Sequence, residues 1–382
     1  MIGPKTEHYV PQFILRQFLI GHQGKEQVSV YDKHEDRGFV TSIKNVMAEN
    51  RLHDFVFENW IVSFEPIASK IEDICLPAYQ RVIETRRLEG SPQEKTDLGF
   101  LIAFQMLRTK AARARFREIE AAMKDKIEAM GHRMEDVPGW EPQTEDTLKH
   151  DTLRAIREAL PNFAQIIALK EFRLAAAAPG RSFYLGDNPV CLHNARTSGP
   201  YGNLGLAVPG IEIYLPLSSN LMLCAWCPSI MERIQKNYED RKSLLLGHLM
   251  AGKISASTMK AELGFLRNFI EAAKSGIPMS SGIENMDFYN SLQTANAYRY
   301  VVCQQSDFEL QGGITRNSLT SVRDAIRLVR SRAQPSRASV SQCVRSPENT
   351  HLDFPENPCC APLIFHERCY RTFDTGARHW QS

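Results

Sequence analysis

The sequence predicts an α+β fold: helices packed around a small, mostly antiparallel sheet, with a poorly ordered C-terminal tail. Helical periodicity dominates residues 61–169, short extended runs cluster in residues 172–226, and helical periodicity returns at about 229–297. Strands and helices are therefore segregated along the chain. That order argues against a repeating βαβ array and its parallel sheet.

Pro11 suits the first turn of a helix reaching Leu19, with Phe13, Ile14, Phe18 and Leu19 near one face. VSVYD (28–32) and GFVTS (38–42) alternate apolar and polar residues across KHEDRG, a hairpin pattern, and HDFVFE (53–58) reads as extended. From Ile61 the apolar stripe Ile61, Phe64, Ile67, Ala68, Ile71 and Ile74 predicts a helix to about Arg87, bent near Pro77. Ser91, Pro92 and Glu94 form a capping-box start for one long helix to about Met130, which Gly131 ends. On that helix Phe100, Phe104, Leu107 and Ala111 share a core face, and Gln105 and Arg108 project along its edge.

HRMEDVPGWEPQTED is polar and rich in turn residues, hence a connecting loop before a helix at about 147–169. The extended runs are FRLAAAA (172–178), SFYLG (182–186), GIEIYLPL (210–217), NLMLCAW (220–226) and YRYVVCQ (298–304). The Gly/Pro-rich stretch NARTSGPYGNLGLAVPG lies between the second and third of them, a loop able to cover a pocket. Further helices are expected at 229–249, 256–274 and 285–297.

Residues 1–312 are thus expected to form one domain and residues 313–382 a tail. From Gly313 onward ten Arg and no Lys stand against six Asp+Glu, a net +4, which leaves about −2 on the rest of the chain's +2 total. That segment holds four of the nine cysteines and no sustained periodicity, so composition predicts low order, the alternative being an arginine-rich arm on phosphate. The whole chain, 382 residues with 43% hydrophobic and 24% charged, excludes collagenous and largely disordered classes. Its near-neutral charge gives no whole-chain footprint for nucleic acid or membrane. No apolar run approaches the roughly 20 residues of a bilayer span. An odd, irregular cysteine set and a first segment without a signal-type apolar region lead to the expectation of a cytoplasmic protein.

His8-Tyr9-Val10-Pro11, followed by Phe13-Ile14-Leu15-Arg16-Gln17-Phe18, resembles the signature of domain of unknown function family 4238, known by its HYVP motif. Three further segments are similar to that family: Asn59 with Glu65, Gln105 with Arg108, and Asp187-Asn188-Pro189-Val190. The resemblance covers roughly residues 5–305. Two positions depart from it, Lys110 where the family often has Pro and Gly186 where it often has Ser. The family supplies an ordering of motifs and no established activity.

The polar residues of those motifs adjoin apolar ones that would draw them inward, and converging polar groups define a candidate site. His8 titrates near neutral pH and suits a general base. Arg108, half-desolvated, needs a carboxylate or phosphate, with an internal pair to Glu65 or Asp187 as the competing reading. Asp187 and Asn188 follow a strand and serve equally as turn formers. The candidate catalytic set is His8, Arg108, Asp187 and Asn188, with Tyr9, Gln105 and Glu65 binding ligand. Acid–base cleavage of a phosphodiester would use Asp187 with His8, and Arg108 would stabilise the developing charge.

The first functional expectation is a hydrolase on phosphate esters or RNA, with a toxin or defence-effector role as a hypothesis. The alternative is a non-catalytic ligand-binding or regulatory module whose cluster binds an anion or is purely structural. Expected partners are nucleic acid or a small anionic ligand, and no membrane. Cys224-x-x-Cys227 with Cys191-x-His193 has zinc-type ligands, but strand alternation sends residues three apart to opposite faces, so no metal set is assigned. No Walker, dinucleotide or serine-elbow motif indicates a cofactor. The basic run Arg108, Lys110, Arg113, Arg115 and Arg117 reads as a solvated face or a nucleic-acid contact.

Overall fold

A computed structural model describes residues 6–21, 24–50, 54–57, 60–140, 142, 144–195 and 203–304. The expected tail and the 312/313 boundary lie outside the described residues. Strand β1 (Thr6–His8) leads into a short helix α1 (Gln12–Leu15) continued by a 3-10 turn over Arg16–Phe18. The expected hairpin forms as β2 (Gln27–Asp32) and β3 (Arg37–Ser42). β4 (Ala48–Asn50) pairs antiparallel with β1, a ladder that sequence reading did not anticipate.

β5 (Asp54–Phe57) and β6 (Trp60–Ser63) form a second hairpin, so the following helix α2 starts at Glu65 and not at Ile61, and runs to Thr85 with Pro77 inside it. Helix α3 (Pro92–Leu107) starts as expected: Ser91 caps the backbone of Glu94, while the Glu94 carboxylate accepts from Gly90 N at 2.7 Å. It is buried all round from Leu98 to Gln105, which replaces the single core stripe expected. It packs between α2 and α5 (Glu145–Ala168). Gly99 permits the close approach, since a Cβ there would lie 2.8 Å from Ala164 O.

The long helix does not run through to Met130. It stops at Arg108, and α4 (Lys110–Ala129) restarts behind Thr109, whose extended backbone (φ −80°, ψ 159°) and hydroxyl cap Ala112 N. Gly131 ends α4 with φ +84°.

Strands β7 (Glu171–Ala176), β8 (Leu185–Gly186), β9 (Cys191–Asn194), β10 (Ile211–Ser218) and β11 (Leu221–Trp226) follow. Helices α6 (Pro228–Met250) and α7 (Ala256–Ser275) come next, then β12 (Met279–Ser280), α8 (Ile283–Asn296) and β13 (Tyr300–Cys303). The expected single sheet is divided. One sheet runs β12-β7-β11-β10-β9, antiparallel except for the β12–β7 pair, and the other runs β3-β2-β13-β8. β13 joins the N-terminal hairpin because Val302 meets Val30 there, both fully buried.

The expected strand 182–186 shrinks to two residues for a visible reason. Asn290, Gln293 and Asn296, spaced three apart on α8, satisfy that backbone with side-chain amides. Asn290 takes Tyr184 N and Ser182 O, Gln293 takes Gly186 N and Pro189 O, and Asn296 takes the carbonyls of Asn188 and Val190. A helix edge does the work of a strand partner. Among the described residues no helix is long and apolar enough to cross a membrane.

Candidate functional site

The HYVP segment, the end of α3 and the Asp-Asn turn are linked by three hydrogen bonds centred on the α3–α4 break. Gln105 Nε2 donates to Tyr9 O at 2.8 Å. The Arg108 guanidinium donates to His8 O and forms an ion pair with Glu72 of α2. Its plane also lies over the Phe104 ring, 4.6 Å from Cζ to the centroid. Thr109 Oγ1 donates to Asn188 Oδ1 at 3.1 Å. Arg108, Gln105, Thr109, Asp187, Asn188 and Tyr9 are all buried.

The chain breaks its helix at this point because capping serves two elements at once. Thr109's hydroxyl accepts from Ala112 N and gives its proton to Asn188, so the restart of α4 is fastened to the Asp-Asn turn. The break also removes Ala111 from the face it was expected to share with Phe100 and Phe104.

Arg108 was expected to pair with Glu65 or Asp187, and its carboxylate partner is Glu72. Glu65 stands at the head of α2, whereas Glu72, two turns further along, is the carboxylate that meets the Arg108 guanidinium. The Glu65 charge acts on His8, opposing the lowering of its pKa.

His8 uses both ring nitrogens: Nε2 lies 2.9 Å from Ile43 O and Nδ1 accepts from Gln12 Nε2 at 3.3 Å. Those partners assign the neutral tautomer with its proton on Nε2. Burial lowers the imidazole pKa below its ordinary value, and the nearby Arg108 charge acts in the same direction.

Asp187 is almost wholly enclosed, with 1% exposure. Its carboxylate accepts from three successive backbone N–H groups, Tyr298 at 2.6 Å, Arg299 at 2.9 Å and Tyr300 at 3.0 Å. Burial raises its pKa above the ordinary carboxylate value, while those donors and the Lys33 ammonium oppose that rise. Burial also raises the Tyr9 hydroxyl, and the Asp187 charge adds to it. Asn188 spends its side chain on Thr109 and on Asn296 O.

Sequence reasoning missed Glu72, Thr109, Asn296 and Lys33. Lys33 Nζ holds the carbonyls of Thr294 (2.8 Å) and Ala297 (2.5 Å) at the end of α8, a favourable place for a cation. Only the Asn290/Gln293/Asn296 spacing on α8 offered a local signal. The basic run on α3 and α4 is not one solvated face. Arg108 is buried, Lys110 and Arg113 both pair with Glu49, and Arg115 and Arg117 are exposed.

Of the cysteines weighed as zinc ligands, Cys227 lies past the end of β11, so strand alternation does not place it. Cys191 and Cys224 lie in the core on one sheet face, where burial pushes the Cys191 thiol up to about 12, and Cys227 caps the start of α6. Among the described residues no group of three His, Cys, Asp or Glu could hold a metal ion.

A family model described as "Protein of unknown function (DUF4238)" matches residues 7–307. No curated protein and no solved structure matches the chain. The chain belongs to the DUF4238 family, the family whose motifs its sequence resembles.

Proposed function

We propose that this DUF4238 family member is a non-catalytic binding or regulatory module, and that its HYVP and Asp-Asn motifs are the interlock holding the fold together. The observation that carries this reading is the Asp187 carboxylate, whose oxygens are taken up by the backbone of Tyr298, Arg299 and Tyr300. A carboxylate so engaged and so enclosed has little capacity left for acid–base work on a substrate. Asn188, with both ends of its amide engaged, and His8, with both ring nitrogens engaged, support the same reading.

One observation favours the hydrolase reading as a second. Arg108 Nε and Gln105 Oε1 are buried without a hydrogen-bond partner among the described residues. They sit one turn apart and could hold a water or one polar group of a small ligand.

A single experiment separates the two. Wild type, His8→Ala and Asp187→Asn are incubated with labelled RNA and a generic phosphodiester, with and without divalent metal, and their melting temperatures are measured. The interlock reading expects no turnover by the wild type and a lower melting temperature for Asp187→Asn. Turnover abolished by both substitutions at unchanged melting temperature would establish the hydrolase.

A further inference from the structure

Helix α4 carries an apolar stripe that packing within the chain covers only in part. Phe116, Ile119, Met123, Ile127 and the capping Met130 recur at spacings of three and four. At about 100° per residue they lie within roughly 80° of one another. Phe116 and Ile127 are half-buried, and α4 rests on α5 and on the 3-10 turn Met134–Asp136. The other edge of the stripe is open. Ile119, Met123 and Met130 are 58%, 49% and 68% exposed, and none of the 20 residues of α4 is buried.

A helix of this length owes most of its stability in water to burying its apolar face, and a contiguous exposed stripe marks an interaction surface. The charges beside the open edge select what covers it. Arg115 and Lys126, both exposed, stand on one flank, and Glu120, half-buried, stands on the other. With Ile119 at heptad position d and Met123 at the next a, Arg115 is a g residue and Glu120 the e residue that follows it. In a parallel two-stranded pair, g of one helix lies beside that e of its neighbour, where opposite charges pair.

An antiparallel pair would set like flanks together, Arg115 and Lys126 against cations and Glu120 against its own copy. The other cations near the start of α4 do not oppose the parallel arrangement, since Lys110 and Arg113 are paired with Glu49 of the same chain. Lys126 is exposed, so its stem can line the seam while its ammonium stays in water. The surface is therefore complementary in apolar pattern and in charge to a second copy of itself.

We infer that α4 joins two copies of this chain in a parallel two-fold pair. Ile119, Met123 and Met130 of each copy pack across the seam, and Arg115 pairs with Glu120 of the partner subunit, a contact the symmetry makes twice. The stripe supplies affinity and the ion pairs fix the register. Thr109, which caps α4 and donates to Asn188, ties the start of this helix to the interlock. The association itself is independent of the interlock's role, because no residue of the seam belongs to the interlock.

The test is sedimentation velocity on the full chain over a concentration series. The wild type shows a dimer whose fraction rises with concentration, and Ile119→Glu sediments as a monomer with an unchanged circular dichroism spectrum. Met123→Glu, read in the same way, replaces Ile119→Glu if the latter fails to fold. Arg115→Glu and Glu120→Arg each raise the dissociation constant about tenfold or more, since each sets like charges together at two places. Combined in one chain they restore the wild-type value, because the pair is then reversed and intact. The proposal is overturned if the wild type is monomeric at every concentration, if a folded Ile119→Glu or Met123→Glu associates as the wild type does, or if the combined charge reversal stays as weak as the single ones.

Discussion

Asp187 and Tyr300 bind each other twice. Asp187 N donates to Tyr300 O at 2.9 Å, and Tyr300 N donates back to Asp187 Oδ2 at 3.0 Å. The side chain therefore completes a ladder that the two-residue strand β8 is too short to make with backbone alone.

Replacing Asp187 with Ala takes the buried acceptor away from three backbone N–H groups, each worth about 1–3 kcal/mol when left unpaired away from water. Asp187→Ala is expected to lose about 3 kcal/mol or more of unfolding free energy in urea titration, and Asp187→Asn less, because one amide oxygen still accepts. A loss under 1 kcal/mol for Asp187→Ala would remove the interlock from the argument.

The Arg108–Glu72 pair is asymmetric, with side-chain exposures of 3% and 28%. Removing the carboxylate leaves a buried guanidinium, so Glu72→Ala should cost about 3 kcal/mol. Arg108→Lys should not be conservative, since one ammonium cannot reproduce the fork that spans Glu72 and His8 O. Equal stability of Arg108→Lys and wild type in thermal melts would contradict this account.

Burial holds the His8 pKa below the unfolded value of about 6.5, so between the two values the unfolded chain binds more protons. Its contribution to stability is complete above the unfolded pKa and is lost as pH falls through the depressed folded one. Melting temperatures of the wild type should drop on acidification below about pH 6.5. His8→Gln should flatten that part of the profile, and parallel profiles for the two proteins would refute the assignment.

Gly186 lies hard against α8. A Cβ there would lie 2.9 Å from Gln293 O and 3.2 Å from the Ala297 side chain, so α8 would have to move. Gly186→Ser is expected to cost about 1–3 kcal/mol, the usual scale for overpacking. A neutral result in chemical denaturation would mean that α8 shifts freely.

The sequence by itself determined those features whose cause is local. The Ser91-Pro92-Glu94 start of α3 was readable, as were the β2–β3 hairpin, the Gly131 stop and the α+β segregation, because capping, alternation and positive φ act over a few residues. The motif positions were readable too, together with the inward pull of their apolar neighbours. Tertiary structure alone decided the rest. Whether the helix continues past Arg108 depends on a hydrogen bond from Thr109 to Asn188, 79 positions away. Which sheet β13 enters depends on its pairing with β2, near the other end of the described residues. Whether Asp187 is a reagent or a fastening depends on three backbone amides some 111–113 positions downstream. Propensity and periodicity describe a residue's preference for its neighbours in sequence. A buried polar group is instead governed by the need to find a partner once water is gone, and the fold chooses that partner.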